Sequence, residues 1–160
     1  MYTLDLFDSC GWESYSKIIE KNIHDCDAFI IVFSVTDQSS FINVRDFYYV
    51  NIKNKLPCPI VLVGNKIDLS VKREIEKEEA EQLARQLNMD EYIETSATSM
   101  PPVNIEETFH KIVYNLIKDH HHHSHNRHHL PTIKSNKKTT SSNNHKMNCY
   151  GGNIKKCSVM

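Results

Sequence analysis

Two short apolar runs constrain what this chain can fold into more than any other feature. Ala28-Phe-Ile-Ile-Val-Phe-Ser-Val35 and Ile60-Val-Leu-Val63 are unbroken and rich in β-branched residues. Strands of that composition are buried on both faces, as in parallel sheets covered by helices. Thr3–Phe7 and Tyr92–Thr95 read as weaker strands. Amphipathic helical patterns lie between the strands. Ser40 is placed to cap a helix with Phe41, Val44, Phe47/Tyr48 and Asn51/Ile52 inward, and residues 77–88 align Ala80, Leu83, Ala84 and Leu87. Asn104 with Glu107 forms a capping-box signature ahead of Ile105, Phe109, Ile112, Val113 and Leu116. Strands alternating with helices predict an α/β layered domain built on a parallel sheet.

Charge divides the chain where this pattern stops. Residues 1–119 hold all 20 acidic residues and 12 of the 19 Lys and Arg, a net of −8, whereas residues 120–160 carry +7 and no acid. The second part opens with His120–His123, His125, His128 and His129 and continues in Asn, Ser, Thr and Lys. Such a segment has too little to bury, and residues 119–160 are expected to form a disordered tail. The His tract defines no tetrahedral metal site and reads as a low-complexity spacer. A basic tail on an acidic body suits an anionic surface. Nucleic acid is not expected as a partner, because the Lys and Arg of the body lack interleaved aromatics. The five cysteines show no CxxC spacing, and no signal peptide is recognised, so a reduced, cytosolic setting is expected. No Ser-His-Asp or Cys-His arrangement rises above background.

The chemistry sits where the strands end. Asn65-Lys66-Ile67-Asp68 follows the Ile60–Val63 run directly, at the carboxyl end where α/β sheets place their ligands. An amide there can meet a purine edge, and a lysine stem can cover a ring face. A carboxylate accepts side by side from a ring N–H and an exocyclic amine, a pair that adenine does not offer. A chance turn of the same composition is the bland alternative. Glu94-Thr95-Ser96-Ala97 ends the last predicted strand, where a backbone N–H can reach a base oxygen. Asp8-Ser9-Cys10-Gly11-Trp12-Glu13 follows the first strand; there an Asp can act on a metal through water and a Gly N–H can approach a terminal phosphate.

These residues resemble the motifs of the Ras-type small GTPases. Asp8-Ser-Cys-Gly11-Trp-Glu13 is similar to the family's DTAGQE, Asn65-Lys66-Ile67-Asp68 matches NKxD, and Glu94-Thr-Ser96-Ala97 resembles ETSAK. Phe33–Phe41 and Pro59–Lys66 are similar to the Ras and Rap branch in particular. The resemblance covers residue 3 to about 118, and then the last four residues. It implies a three-layer, P-loop-NTPase-like domain over residues 1–118. It further implies that Asn65 and Asp68 read guanine, Lys66 packs on the base, Ser96 supports the loop and the Ala97 amide meets the guanine oxygen. Asp8 would bind Mg²⁺ indirectly, through water, and Gly11 would sense the γ-phosphate of GTP.

Four parts of the family's pattern are missing or replaced. Glycine occurs only at 11, 64, 151 and 152, so the GxxxxGK[ST] phosphate loop is not present. The switch segment that supplies a Mg²⁺-binding Thr is absent too. Trp12 stands where the family has its water-orienting Gln, and an indole has a single donor and no acceptor. Thr98 replaces the Lys of ETSAK. Losing four or five charge-assisted bonds to phosphate removes on the order of 6–15 kcal/mol, or very roughly four to ten decades of affinity. In this family the strand carrying the phosphate loop lies between the strands matching Thr3–Phe7 and Ala28–Val35. Its loss leaves two unpaired edges. Either those strands pair directly or the chain is the C-terminal part of a longer, N-terminally completed protein; the second is expected.

Cys157-Ser-Val-Met160 reads as a C-a-a-X box, with its final Met favouring farnesyl on Cys157. One lipid chain binds membranes marginally, and the basic tail would add roughly 1 kcal/mol per residue near an anionic surface. Two classes of function follow. The first is a GTP/GDP-binding signalling switch, lipid-anchored on the cytoplasmic face of the plasma membrane or another membrane. The second is a catalytically inactive, lipid-anchored interaction module. Neither names an effector or regulator.

Overall fold

The computed structural model describes residues 3–8, 23, 25–124 and 154–159. Five strands form one sheet: β1 (Thr3–Asp8), β2 (Ala28–Ser34), β3 (Ile60–Asn65), β4 (Glu91–Glu94) and β5 (Ile154–Val159). Their order across the sheet is β1-β5-β2-β3-β4, and the pairings are all parallel. The carboxyl ends of the strands therefore share one edge. The expected α/β layered fold is the observed one.

Period-two alternation in the central strands explains why their sequences are apolar throughout. Phe29, Ile31, Phe33 and Val35 join Ile60 and Leu62 on one face of the sheet. Helices α1 (Gln38–Phe47) and α2 (Lys77–Gln86) cover that face with Phe41, Val44, Ala80, Leu83 and Ala84. Ala28, Ile30, Val61, Val63 and Ile93 point the other way, under Ile112 and Leu116 of α3 (Ile105–Ser124). With an apolar layer on each side, nothing in β2 or β3 favours a polar residue until the strands reach their carboxyl ends. A fully buried Leu62 contributes about 1.5–3 kcal/mol relative to exposure.

Local departures from expectation have identifiable causes. Helix α1 is capped by Asp37, not Ser40: its Oδ1 accepts from the amides of Ser39 (3.0 Å) and Ser40 (3.3 Å). Ser40 lies inside the first turn, where its Oγ accepts from the Ser34 amide at 3.1 Å and ties the helix to β2. After Phe47 the helix widens into a π-helical turn over Tyr48–Ile52. Asn104 precedes α3 but takes a left-handed conformation (φ 53°), which is not that of a capping-box residue. Its Nδ2 donates to the Glu94 carbonyl at 2.9 Å and pins the loop to the end of β4.

The larger departure concerns the segment expected to be a disordered tail. Helix α3 continues past residue 118 to Ser124, and Ile154–Val159 is a strand of the sheet. Nor do the strands matching Thr3–Phe7 and Ala28–Val35 pair directly. β5 lies between them, with Cys157 in register with Leu6 on one side and Ala28 on the other. The physical reason is the vacancy itself: two flanking strands offer backbone donors and acceptors to any extended segment that enters between them. Residues 125–153 and Met160 lie outside the described residues.

Candidate functional site

The carboxyl ends of β3 and β4 build one site from two loops. Asn65, the last residue of β3, is held three ways. Its carbonyl accepts from the Val35 amide at 2.9 Å, and its Oδ1 accepts from the Lys66 amide at 2.8 Å and from Thr95 Oγ1 at 3.2 Å. With Oδ1 so occupied, the amide presents its Nδ2 end as a donor. Lys66 then turns the chain in a left-handed conformation (φ 70°, ψ 35°), and a 3₁₀ segment follows over Ile67–Lys72. The Ile67 amide donates to the Thr95 carbonyl at 3.3 Å, so the turn after β3 is tied to the turn after β4.

Asp68 is the centre of the arrangement. Ser96 Oγ donates to its Oδ1 at 2.6 Å, and Thr98 Oγ1 donates to its Oδ2 at 3.1 Å. Ser96 is itself fully buried and oriented by two donors, the Ser99 amide (3.1 Å) and the Ser99 hydroxyl (2.8 Å). The Ser96 hydroxyl, helped by Thr98 and by the nearby Lys66 charge, holds the Asp68 carboxyl below the usual carboxylate range. The group is thus an ionised acceptor at neutral pH. A carboxylate has about four acceptor sites, and these two hydroxyls use one on each oxygen. What remains is a pair of adjacent acceptors, suited to a planar ring that presents two neighbouring N–H donors. Exposed Ala97 lies in the same turn, between Ser96 and Thr98.

Beneath the site is a rigid support. Gly64 has no room for a side chain: a Cβ there would collide with the Tyr92 hydroxyl and come within 3.0 Å of Val35. Tyr92 Oη donates to Glu94 Oε1 at 3.1 Å, and Arg73 reaches the same oxygen at 2.9 Å and the Ile75 carbonyl at 3.0 Å. Burial pushes the Tyr92 phenol far above its usual range, so it stays a neutral donor. Glu94 in turn raises the Arg73 guanidinium further.

The sequence-predicted residues fall into groups. Asn65, Lys66, Asp68, Ser96 and Ala97 come together. Asp8 ends β1 on the same edge of the sheet, exposed, with β5 and β2 between it and β3. Three strand spacings amount to about 14 Å. Gly11 and Trp12 lie outside the described residues. Among the described residues no group of three or more His, Cys, Asp and Glu could hold a metal directly, and Asp8 alone is not a Mg²⁺ site. The donor set therefore fits a purine base but, among the described residues, not its phosphates or metal. Sequence reasoning misses Thr98 as a second support of Asp68, because the family pattern marks that position only by the Lys it lacks. It also misses the Gly64–Tyr92 contact; a glycine next to the end of an apolar strand is the available signal.

The sequence profile of the Ras family matches residues 1–118. The chain belongs to the Ras family. Among curated relatives it is 41% identical over 112 residues to "Circularly permutated Ras protein 1" of Dictyostelium discoideum, covering 69% of this chain and 13% of that protein. It is 38% identical over 112 residues to a "Ras-like protein" of Laccaria bicolor, covering 69% of this chain and 52% of the relative. Identity to "Ras-like protein 1" of Saccharomyces cerevisiae is 35% over 118 residues, 72% of this chain and 37% of that protein. This Ras-family chain thus spans about half of these relatives' length or less.

Proposed function

We propose that this Ras-family chain carries the base-reading half of a GTP/GDP-binding switch. The observation that supports it is the exposed Asp68 carboxylate, held ionised and oriented by Ser96 on one oxygen and Thr98 on the other. Guanine meets that carboxylate with its ring N–H and exocyclic amine; adenine has no such pair. Asn65 donates to the purine edge, the Lys66 stem covers a face and the Ala97 amide meets the base oxygen. The chain's own residues thus select and orient a base. Bound Mg²⁺ would supply charge at the phosphates, with Asp8 acting on it through water, and no hydrolytic step is assigned to these residues. NMR titration with guanosine tests the reading. Guanosine should shift the amides of Asn65–Asp68 and Thr95–Thr98, adenosine should not, and Asp68→Ala should abolish the response. Equal shifts from both nucleosides would sink it.

A catalytically inactive interaction module is the second reading, favoured by Trp12 at the position of the family's Gln. Farnesyl on Cys157, with the basic tail against an anionic membrane at its cytoplasmic face, is a fate of the C-terminal residues compatible with either reading. It requires a free terminal tetrapeptide. Cys157→Ser should release such a protein from the membrane fraction, and an unchanged distribution would refute the anchor. That one relative is described as circularly permutated fits a different fate, in which the guanine-reading motifs come before the phosphate-binding strand.

A further inference from the structure

The strand β5 occupies a position in the sheet, between β1 and β2, that the described part of residues 1–118 leaves open. In the Ras-type fold that position, between the strands corresponding to β1 and β2, belongs to the strand that leads into the phosphate loop. β5 runs parallel to both neighbours, in register from Thr3–Ile154 to Asp8–Val159 on one side and from Ala28–Cys157 to Ile30–Val159 on the other. Its carboxyl end therefore emerges on the site edge, with Val159 beside Asp8.

The connection is geometrically ordinary. From β2 to β4 the chain moves in one direction across the sheet and packs its helices, α1 and α2, on one face. From β4 to β5 it moves back in the opposite direction and packs α3 on the other face. Reversing both the direction and the face keeps the hand of the crossover, as parallel sheets require. Helix α3 starts after β4 at the carboxyl edge and runs back toward the amino edge, where β5 must start. Residues 125–153 number 29 and join the two. A chain of that length has a root-mean-square span of about 30 Å, ample to pass a few strand spacings of about 5 Å.

We propose that Ile154–Val159 is this domain's phosphate-loop strand, delivered in permuted order from the C-terminal side. Backbone that continues from its carboxyl end then takes the phosphates of the guanine nucleotide beside Asp8. The phosphate part rests on the guanine-reading function proposed above; the strand part does not. Cys157 is then a position within the sheet, in register with Leu6 and Ala28, and not part of a free terminal tetrapeptide.

Hydrogen exchange on the whole chain, without nucleotide, tests the strand. The amides of Ile154–Val159 should exchange at least roughly 100-fold more slowly than a free peptide, as in a paired strand. Exchange at free-peptide rates would overturn the proposal. Ser158→Pro removes one ladder donor and should release protection in at least one flanking strand, Leu4–Asp8 or Ala28–Ile31, while Ser158→Thr retains it. Should the proline variant not fold, the exchange of the unaltered chain still decides. Recovery of the cellular protein with prenyl on Cys157 would overturn it as well. Protected β5 with no guanosine response would uphold the strand and defeat the base-reading function; the reverse pattern would do the opposite. For the phosphate assignment the transcript is read beyond codon 160. A Gly-Lys-Ser/Thr loop within about the span of a phosphate loop (eight residues) supports it, and a stop codon there overturns it.

Discussion

At the β3–β4 corner of the sheet, Asn65, Asp68 and Ser96 are each held by side chains or backbone from the neighbouring loop, whereas β1 and β5 are joined, among the described residues, through their backbone ladder. The first region is a corner in which two loops hold one another's polar side chains. The second is an architectural position, at whose carboxyl end the described residues place only Asp8. On the function proposed above, the difference teaches that base recognition and phosphate binding are separable: side chains that two adjacent loops orient would read the base, and main chain at another strand's end would take the phosphates. The first can be complete where the second is not.

The largest expected consequence concerns affinity. Without a phosphate cradle, binding of GDP by these 160 residues should fall short of an intact family member's by the very roughly four to ten decades that several lost charge-assisted bonds imply. A titration with fluorescent GDP and Mg²⁺ checks this, and nanomolar affinity would erase the distinction between the two regions. Stability should divide the same way. Leu62→Ala, in the fully buried centre of β3, should cost about 2–5 kcal/mol in urea unfolding. Leu6→Ala on β1, where the side chain is 49% exposed, should cost well under about 1 kcal/mol. Equal costs would mean that β1 is packed as tightly as the central strands.

Gly64→Ala sharpens the comparison inside the first region. The new Cβ would collide with the Tyr92 hydroxyl and press on Val35. Tyr92 cannot swing away without breaking its bond to Glu94, which Arg73 also holds. About 1–3 kcal/mol of destabilisation is expected from overpacking, with broadened amides at Asn65 and Thr95. If Tyr92→Phe restores none of that loss, the hydroxyl is not the obstruction.

The same contrast explains what was legible in the sequence. Strands β2 and β3 announce themselves because burial on both faces demands unbroken apolar residues. Asn65, Asp68 and Ser96 are legible because their residue types and order at strand ends follow from the chemistry of the base. Strand β5 carries neither signal. Its Lys155-Lys156 pair and polar surroundings read as a solvated tail, and its place depends on a gap between β1 and β2 that no local window contains. Thr98 was hidden for a related reason: a threonine's single hydroxyl becomes a support for Asp68 only when the turns after β3 and β4 are brought together. Asp37 displaced Ser40 as the cap of α1 because both are good capping residues, and backbone conformation, not composition, decides between them.

The smallest expected effect is the most local. Ser96 Oγ bonds Asp68 and accepts from Ser99, so Ser96→Ala strips a donor from the carboxylate and leaves the Ser99 amide without that acceptor. The Asp68 carboxyl lies below its usual range chiefly because of that hydroxyl. A group whose folded value is depressed stabilises the fold above its unfolded value, near 3.9, and loses that contribution as pH falls through the folded value. Carboxyl-carbon NMR should therefore show Asp68 titrating below the unfolded value in the parent chain, and closer to it in Ser96→Ala. Thr98→Val should move the midpoint the same way by less, since Thr98 is the weaker cause. A midpoint unmoved by Ser96→Ala would mean that the charge on Asp68 is set by its exposure to water alone, and that the two loops meet at this corner without tuning the group proposed to read the base.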